Sequence, residues 1–166
     1  MYDCQMAAPI FLCYRSRDDA YAAALLDELL ARELGPSAIF RAAKSVAPGD
    51  DYVEALSRAL DAASVLLVVV GPNWVDSLVR PATDSQSESD WVRKEISTAL
   101  TRGIRIIPIL LSNTERLVES DLPADISALA RRQYFRFDYR SLYADAGLIA
   151  DELGRLISST APDEAS

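Results

Sequence analysis

Residues Ser64 to Val70 read SVLLVVV, an unbroken apolar run of strand length. A strand with one face in water alternates apolar and polar residues, so a run without alternation fits a strand covered on both faces, as at the centre of a parallel sheet. Such a strand needs covering helices, and the rest of the chain supplies them. Pro9 to Tyr14 is a second apolar run, followed from Ala20 to Leu34 by Ala and Leu at helical spacing. Asp18 and Asp19 are expected to cap and charge-complement that helix, and Gly35-Pro36 to stop it. A short strand over Ser37 to Arg41 and a loop over Ala42 to Asp51, containing Pro48-Gly49, lead into a helix from Asp51 to Ala62 with Val53, Leu56 and Leu60 on one side.

Gly71-Pro72 ends the apolar run, and Ser77 to Ser89 reads as a polar surface loop before a helix from Asp90 to Arg102, closed by Gly103. Ile104 to Leu111 is a further buried strand and Ser112 to Ala130 an irregular connection with a short helix. Tyr134 to Asp138 is a fifth strand and Leu142 to Ile157 the last helix, with a frayed tail from Ser158. This alternation predicts right-handed crossovers and a doubly wound α/β domain: a five-stranded parallel sheet with helices on both faces, over residues 9–158, between tails at 1–8 and 159–166. Ligands of such folds bind beyond the carboxyl ends of the strands, where strand order reverses. Function is therefore expected at Tyr14 to Asp18, Arg41 to Asp50, Gly71 to Trp74, and the start of the helix carrying Glu95.

Composition narrows what can happen there. The 166 residues carry a formal net charge of -8, which disfavours nucleic acid as a partner, because phosphates are met by clustered Lys and Arg. No apolar run reaches the length of a membrane span, and the N-terminus lacks the pattern of a signal peptide. The two cysteines, Cys4 and Cys13, make no disulfide framework, so a reduced, cytoplasmic protein is expected. There is no histidine, which argues against Ser-His-Asp chemistry and a zinc or other metal centre. Tyr14-Arg15-Ser16-Arg17 stands where a dinucleotide fold or NTPase would carry its glycine-rich loop. A receiver domain would need acids around a metal at the first and third strand ends, where this chain has Arg15 and Gly71-Pro72.

The segment Ser89-Asp90-Trp91-Val92-Arg93-Lys94-Glu95 sets Trp91 and Glu95 four residues apart on one helix face. With tyrosine and tryptophan faces and basic groups nearby, such a set suits a ligand with a flat base, a sugar and phosphates. Trp74 or Trp91 could stack, Arg15 or Arg41 could meet phosphate, and Glu95 could engage ribose hydroxyls. Cleavage of a glycosidic bond to a cationic leaving group needs a carboxylate near the anomeric carbon and no general acid. NAD+ meets that description as a substrate, with no separate cofactor. Structural roles fit the same residues: Glu95 as a solvated helix residue, Trp91 as core beside Val92, Ile96 and Ala99, and Trp74 as cover for the sheet edge. Tyr14 and Arg15 could simply fix a turn, and Asp50 and Asp51 could be helix N-terminal charges.

The motifs resemble those of Toll/interleukin-1 receptor (TIR) domains of the bacterial type, whose fold is flavodoxin-like. Ile10-Phe11-Leu12-Cys13-Tyr14-Arg15 is similar to the first-strand box F-x-S-Y-R, with Cys13 in place of serine. Ile39-Phe40 and Val46 to Tyr52 resemble the second strand and the BB loop with its P-G turn. Val68 to Trp74 resembles the third-strand end, Trp91 to Ile96 the helix bearing the glutamate of NAD-cleaving members, and Ile106-Ile107-Pro108-Ile109 the fourth-strand box. One departure is Arg41, where the family usually has an acid after the second-strand aromatic. The resemblance implies NAD+ glycohydrolase activity, giving nicotinamide with ADP-ribose or a cyclic ADP-ribose isomer. Glu95 would be catalytic on the nicotinamide ribose, with Tyr14, Arg15 and Trp74 lining the pocket. It further implies self-association with other TIR domains through the loop Ala42 to Asp51, a fused or separate sensor module, and a place in bacterial antiphage defence. Two rivals are a non-enzymatic TIR scaffold and a nucleoside deoxyribosyltransferase-like enzyme.

Overall fold

Val65–Val70, here β3, is buried at every position. The computed structural model describes residues 8–79 and 88–160, and within them β3 pairs on one side with β1 (Ile10–Cys13) and on the other with β4 (Arg105–Leu111), both in parallel. β2 (Ile39–Phe40) extends the sheet beyond β1 and β5 (Phe135–Phe137) beyond β4, giving five parallel strands in the order β2-β1-β3-β4-β5. The order reverses between β1 and β3, because the chain runs outward to β2 and then returns past β1. That makes the fold the doubly wound α/β sheet expected.

The period of two along each strand divides the core. Ile10, Leu12, Val65, Leu67, Val69, Ile107 and Ile109 face one layer, closed by Leu26 and Leu30 of α1 (Ala20–Leu34) and by Ile149 and Leu153 of α6 (Leu142–Thr160). Phe11, Cys13, Leu66, Val68, Val70 and Leu110 face the other. That face is covered by Leu56 and Leu60 of α3 (Tyr52–Ala62), Trp74 of α4 (Trp74–Val79), and Val92, Ile96 and Ala99 of α5 (Glu88–Arg102). No position of β3 faces water, which is why its sequence lacks alternation. Surface pairs steady the two helices that will flank the site: Arg93 of α5 binds Asp125 at 2.8 Å, and Arg102 of α5 pairs with Asp61 of α3.

Several local expectations change. Asp19 stands at the N-cap of α1, but its side chain makes no capping bond; it turns instead to the backbone N–H of Gly71 at the end of β3, and Asp18 is exposed. Val53 is exposed, since it sits in the first turn of α3 before the helix reaches the sheet, whereas Leu56 and Leu60 are buried as read. The loop after β2 begins with a helical turn, α2 (Ala42–Ser45), and Asp51 caps α3 by accepting from Glu54 N–H at 3.0 Å. Ser77 to Val79 belongs to α4 rather than to a loop, and residues 80–87 of the expected polar segment lie outside the described residues. α6 continues to Thr160, past the expected fraying at Ser158; the tails at 1–7 and 161–166 also lie outside them. No helix among the described residues is long and apolar enough to cross a membrane.

Because Leu67 is sealed by both neighbouring strands and by the α1 and α6 layer, Leu67→Ala is expected to leave a cavity that cannot collapse. The loss should be about 2–5 kcal/mol in urea unfolding, with an unchanged m-value.

Candidate active site

Beside the switch point, a small, partly enclosed cleft opens between the end of β1, the turn α2 after β2, and the helices α3 and α5. Phe11, Leu12, Tyr14 and Ser16 line it from β1 and the turn that follows. Ala42 contributes from α2, Tyr52 and Leu56 from α3, and Trp91, Val92 and Glu95 from α5. The position follows from sheet geometry: a helix crossing the end of a parallel sheet presents one face of its first turns to the strand ends, and the spacing of Trp91 and Glu95 puts both on that face. Glu95 is the one acidic residue in the lining, and four aromatic side chains, Phe11, Tyr14, Tyr52 and Trp91, surround the same space.

Burial dominates the state of Glu95. It pushes the carboxyl from an ordinary 4.5 up to about 7, offset in part by a hydrogen bond from the Cys13 thiol. Cys13 is itself buried and free, and its thiol is raised, first by burial and then by the negative charge of Glu95. The protonated S–H therefore donates to the carboxylate, a weak donor for a charge held away from water. Lys94 lies over the Trp91 ring at 5.2 Å, so a cation flanks the cleft's aromatic wall without entering its lining.

The remaining expected site residues part company with the cleft. Trp74 is 1% exposed and lies inside the core, with no acceptor for its indole N–H among the described residues. Arg15 is buried too, its guanidinium 5.3 Å from the Trp74 ring centroid. Asp19 completes this plug. Burial first, then Asp18, raises its carboxyl to about 6, against the lowering effects of Arg15 and the Gly71 amide. The fit is tight: a Cβ at Gly71 would stand 2.3 Å from Asp19 Oδ1, so any larger residue there would have to push the Asp19 carboxylate aside. The crevice between β1 and β3 is thus filled by the protein's own side chains, and the open space lies one step over, toward β2.

Arg41 is held elsewhere. Its Nε donates to Asp27 Oδ2 at 2.7 Å, Lys44 Nζ meets both oxygens of the same carboxylate at 3.0 and 2.8 Å, and the Arg41 guanidinium lies within electrostatic reach of the Tyr14 hydroxyl. The structure therefore brings Glu95, Trp91 and Tyr14 together and sets Arg15, Trp74 and Arg41 outside the lining. Sequence reasoning did not single out Cys13, Tyr52 or Asp27 for the site, and reached Ser16 only as part of the segment Tyr14 to Asp18. Of these, Asp27 left a readable sign: it falls on the buried stripe of α1 with Ala23, Leu26 and Leu30, where a carboxylate requires a cation. Among the described residues, no group of three or more His, Cys, Asp and Glu stands together to hold a metal.

A raised carboxyl makes the fold less stable once the pH exceeds the unfolded value. Between about 4.5 and 7 the folded state binds the extra proton, so Glu95 costs nothing in acid and its full penalty is present above pH 7. Glu95→Gln should therefore leave stability unchanged at pH 4 and raise it by on the order of 1–3 kcal/mol at pH 8, read from urea midpoints at the two pH values.

The structure has solved counterparts. The TIR domains of the activated Roq1 resistosome, which directly recognises the pathogen effector XopQ, superpose with a TM-score of 0.57 at 14% identity, over 89% of this chain and 98% of that one. A metazoan TIR-STING receptor from C. gigas, solved with 2',3'-cGAMP, matches with a TM-score of 0.60 at 15% identity; 95% of this chain spans 41% of that receptor. At such identities the likeness concerns the fold. No curated protein matches. The family model for the TIR domain matches residues 10–149, from β1 into α6, and the chain belongs to the TIR domain family.

Proposed function

We propose that this TIR domain cleaves the bond between nicotinamide and ribose in NAD+, with Glu95 as the catalytic carboxylate. The observation that carries the reading is a lone, half-buried carboxylate in an aromatic-walled cleft at the strand ends. As the C–N bond breaks, its electron pair moves to the nicotinamide nitrogen, which leaves neutral and needs no proton donor. The ribosyl carbon takes up positive charge shared with the ring oxygen, and an ionised Glu95 stabilises it through space or through the ribose hydroxyls. Water attacking that carbon gives ADP-ribose and a proton, and a nucleophile from the same molecule gives a cyclic isomer. Partial burial strengthens the stabilisation because less solvent screens the carboxylate than in bulk water. Trp91, Tyr14 and Tyr52 offer faces for the departing ring.

The cleft is open on one side, which fits a site completed by a second copy. The loop from Ala42 to Asp51 is the element suited to that contact: Ala47-Pro48-Gly49-Asp50 forms a turn closed by Asp50 N–H to Ala47 C=O at 3.1 Å, with Gly49 at φ 92° and its residues exposed. Of the two structures compared above, one is an activated resistosome that recognises a pathogen effector and the other a receptor, in keeping with activation by clustering in a defence response. A cytoplasmic setting would supply NAD+ and keep Cys13 reduced.

Incubation of concentrated or surface-clustered protein with NAD+, followed by nicotinamide release, tests the reading, and Glu95→Ala should lower turnover by about 100-fold or more. Release that survives the substitution removes Glu95 from the chemistry. Absence of turnover in clustered wild-type protein leaves a binding scaffold, and turnover of a deoxynucleoside instead would identify a transferase. Since the carboxylate is the active form and titrates near 7, kcat/KM should rise about tenfold from pH 6 to pH 8 and then level.

A further inference from the structure

We infer that Asp27, on the far side of β1 from Glu95, is a positioning residue that sets the loop from Arg41 to Asp50 and the Tyr14 wall of the cleft. The argument rests on one carboxylate that meets two cations from the same loop. Asp27 is 1% exposed and projects from α1 into the core, with Leu26 and Leu30 as neighbours on the buried stripe. A charge in that position is tolerated only if it is paired and hydrogen-bonded, and both of its oxygens are engaged: Oδ2 by Arg41 Nε at 2.7 Å and by Lys44 Nζ at 2.8 Å, Oδ1 by Lys44 Nζ at 3.0 Å.

Arg41 and Lys44 bracket the helical turn α2. Its backbone is closed by Lys44 N–H and Ser45 N–H to Arg41 C=O, and by Val46 N–H to Ala42 C=O. The clamp therefore fixes a rigid unit rather than a single side chain. That unit carries Ala42 into the cleft lining and launches the exposed Pro48-Gly49 turn. Arg41 passes the constraint onward through its electrostatic contact with the Tyr14 hydroxyl, and Tyr14 lines the cleft. A basic residue after β2 is thus matched by a buried acid on α1, and the two positions form one device. A side chain with no place in the cleft governs both its wall and the loop proposed for assembly. Breaking the clamp leaves Arg41, whose side chain is 16% exposed, with a largely buried charge to re-solvate, and the loop swings outward to do so.

Amide hydrogen exchange tests this independently of any reaction. In Asp27→Asn, exchange at Lys44, Ser45 and Val46 should accelerate about tenfold or more while Ile96 and Ala99 in α5 and Leu67 in β3 keep their rates. The double variant Asp27→Asn/Arg41→Gln, an amide pair without the stranded charge, should recover part of that protection. Where NAD+ is turned over, as proposed above, Asp27→Asn should raise KM about tenfold with kcat within a few-fold of wild type and the acid limb of the pH profile unmoved, because Glu95 is untouched. Unchanged exchange at 44–46, or an equal acceleration through β3 and α5, would overturn the assignment. If Asp27→Asn does not fold, Arg41→Gln reads the same amides from the loop side. If the wild-type protein turns over no NAD+, exchange alone decides the clamp, and only the chemical reading has failed.

Discussion

With both faces of β3 sealed from water, no side chain between Val65 and Val70 is available to a ligand, and all polar chemistry is pushed to the carboxyl ends of the sheet. The same sealing makes those ends rigid, since each strand end is the terminus of a close-packed element. It also makes them dry. A carboxylate placed there loses most of its hydration and must find compensation from whatever the adjoining loops and helices provide.

Three acids enter this environment and are compensated to different degrees. Asp27 has two cations and three short contacts. Asp19 has a backbone N–H and the nearby Arg15, yet keeps one buried oxygen without a partner among the described residues. Among the described residues Glu95 has only a thiol, and its carboxyl is raised further than that of Asp19. The gradient matches the roles proposed for them: Asp27, fully paired, to fix structure, and Glu95, under-compensated in an open cleft, to meet a cationic transition state. The under-compensation is a cost to stability, of the kind that functional sites carry and that the rest of the core must offset.

Much of the architecture was legible because the signals are local. Uniform burial of β3, glycine at positive φ after α1 and α5 (Gly35 at 94°, Gly103 at 73°), and the apolar stripe of α3 follow from period and backbone sterics alone. The capping of α1 was misread for a physical reason. An aspartate at a helix start has its usual partner in the helix, but here a competing N–H arrives from Gly71, more than fifty residues later and brought close only by the pairing of β1 with β3. Val53 misled similarly, because a stripe shows which side of a helix is apolar and not where along its length the sheet begins.

For the site, the chain by itself determined the family motifs, the strand order class and the meeting of Trp91 with Glu95 on one helical face, since four-residue spacing needs nothing beyond the helix. Tertiary structure alone decided which strand ends stay open. It stacked Arg15 against Trp74 in the core at the switch point, bound Arg41 to Asp27, and left the cleft toward β2. It also paired Cys13 with Glu95 across the join of sheet and helix. Those outcomes depend on which buried charges and rings find each other across long stretches of chain, and periodicity, which records one element at a time, holds no information about them.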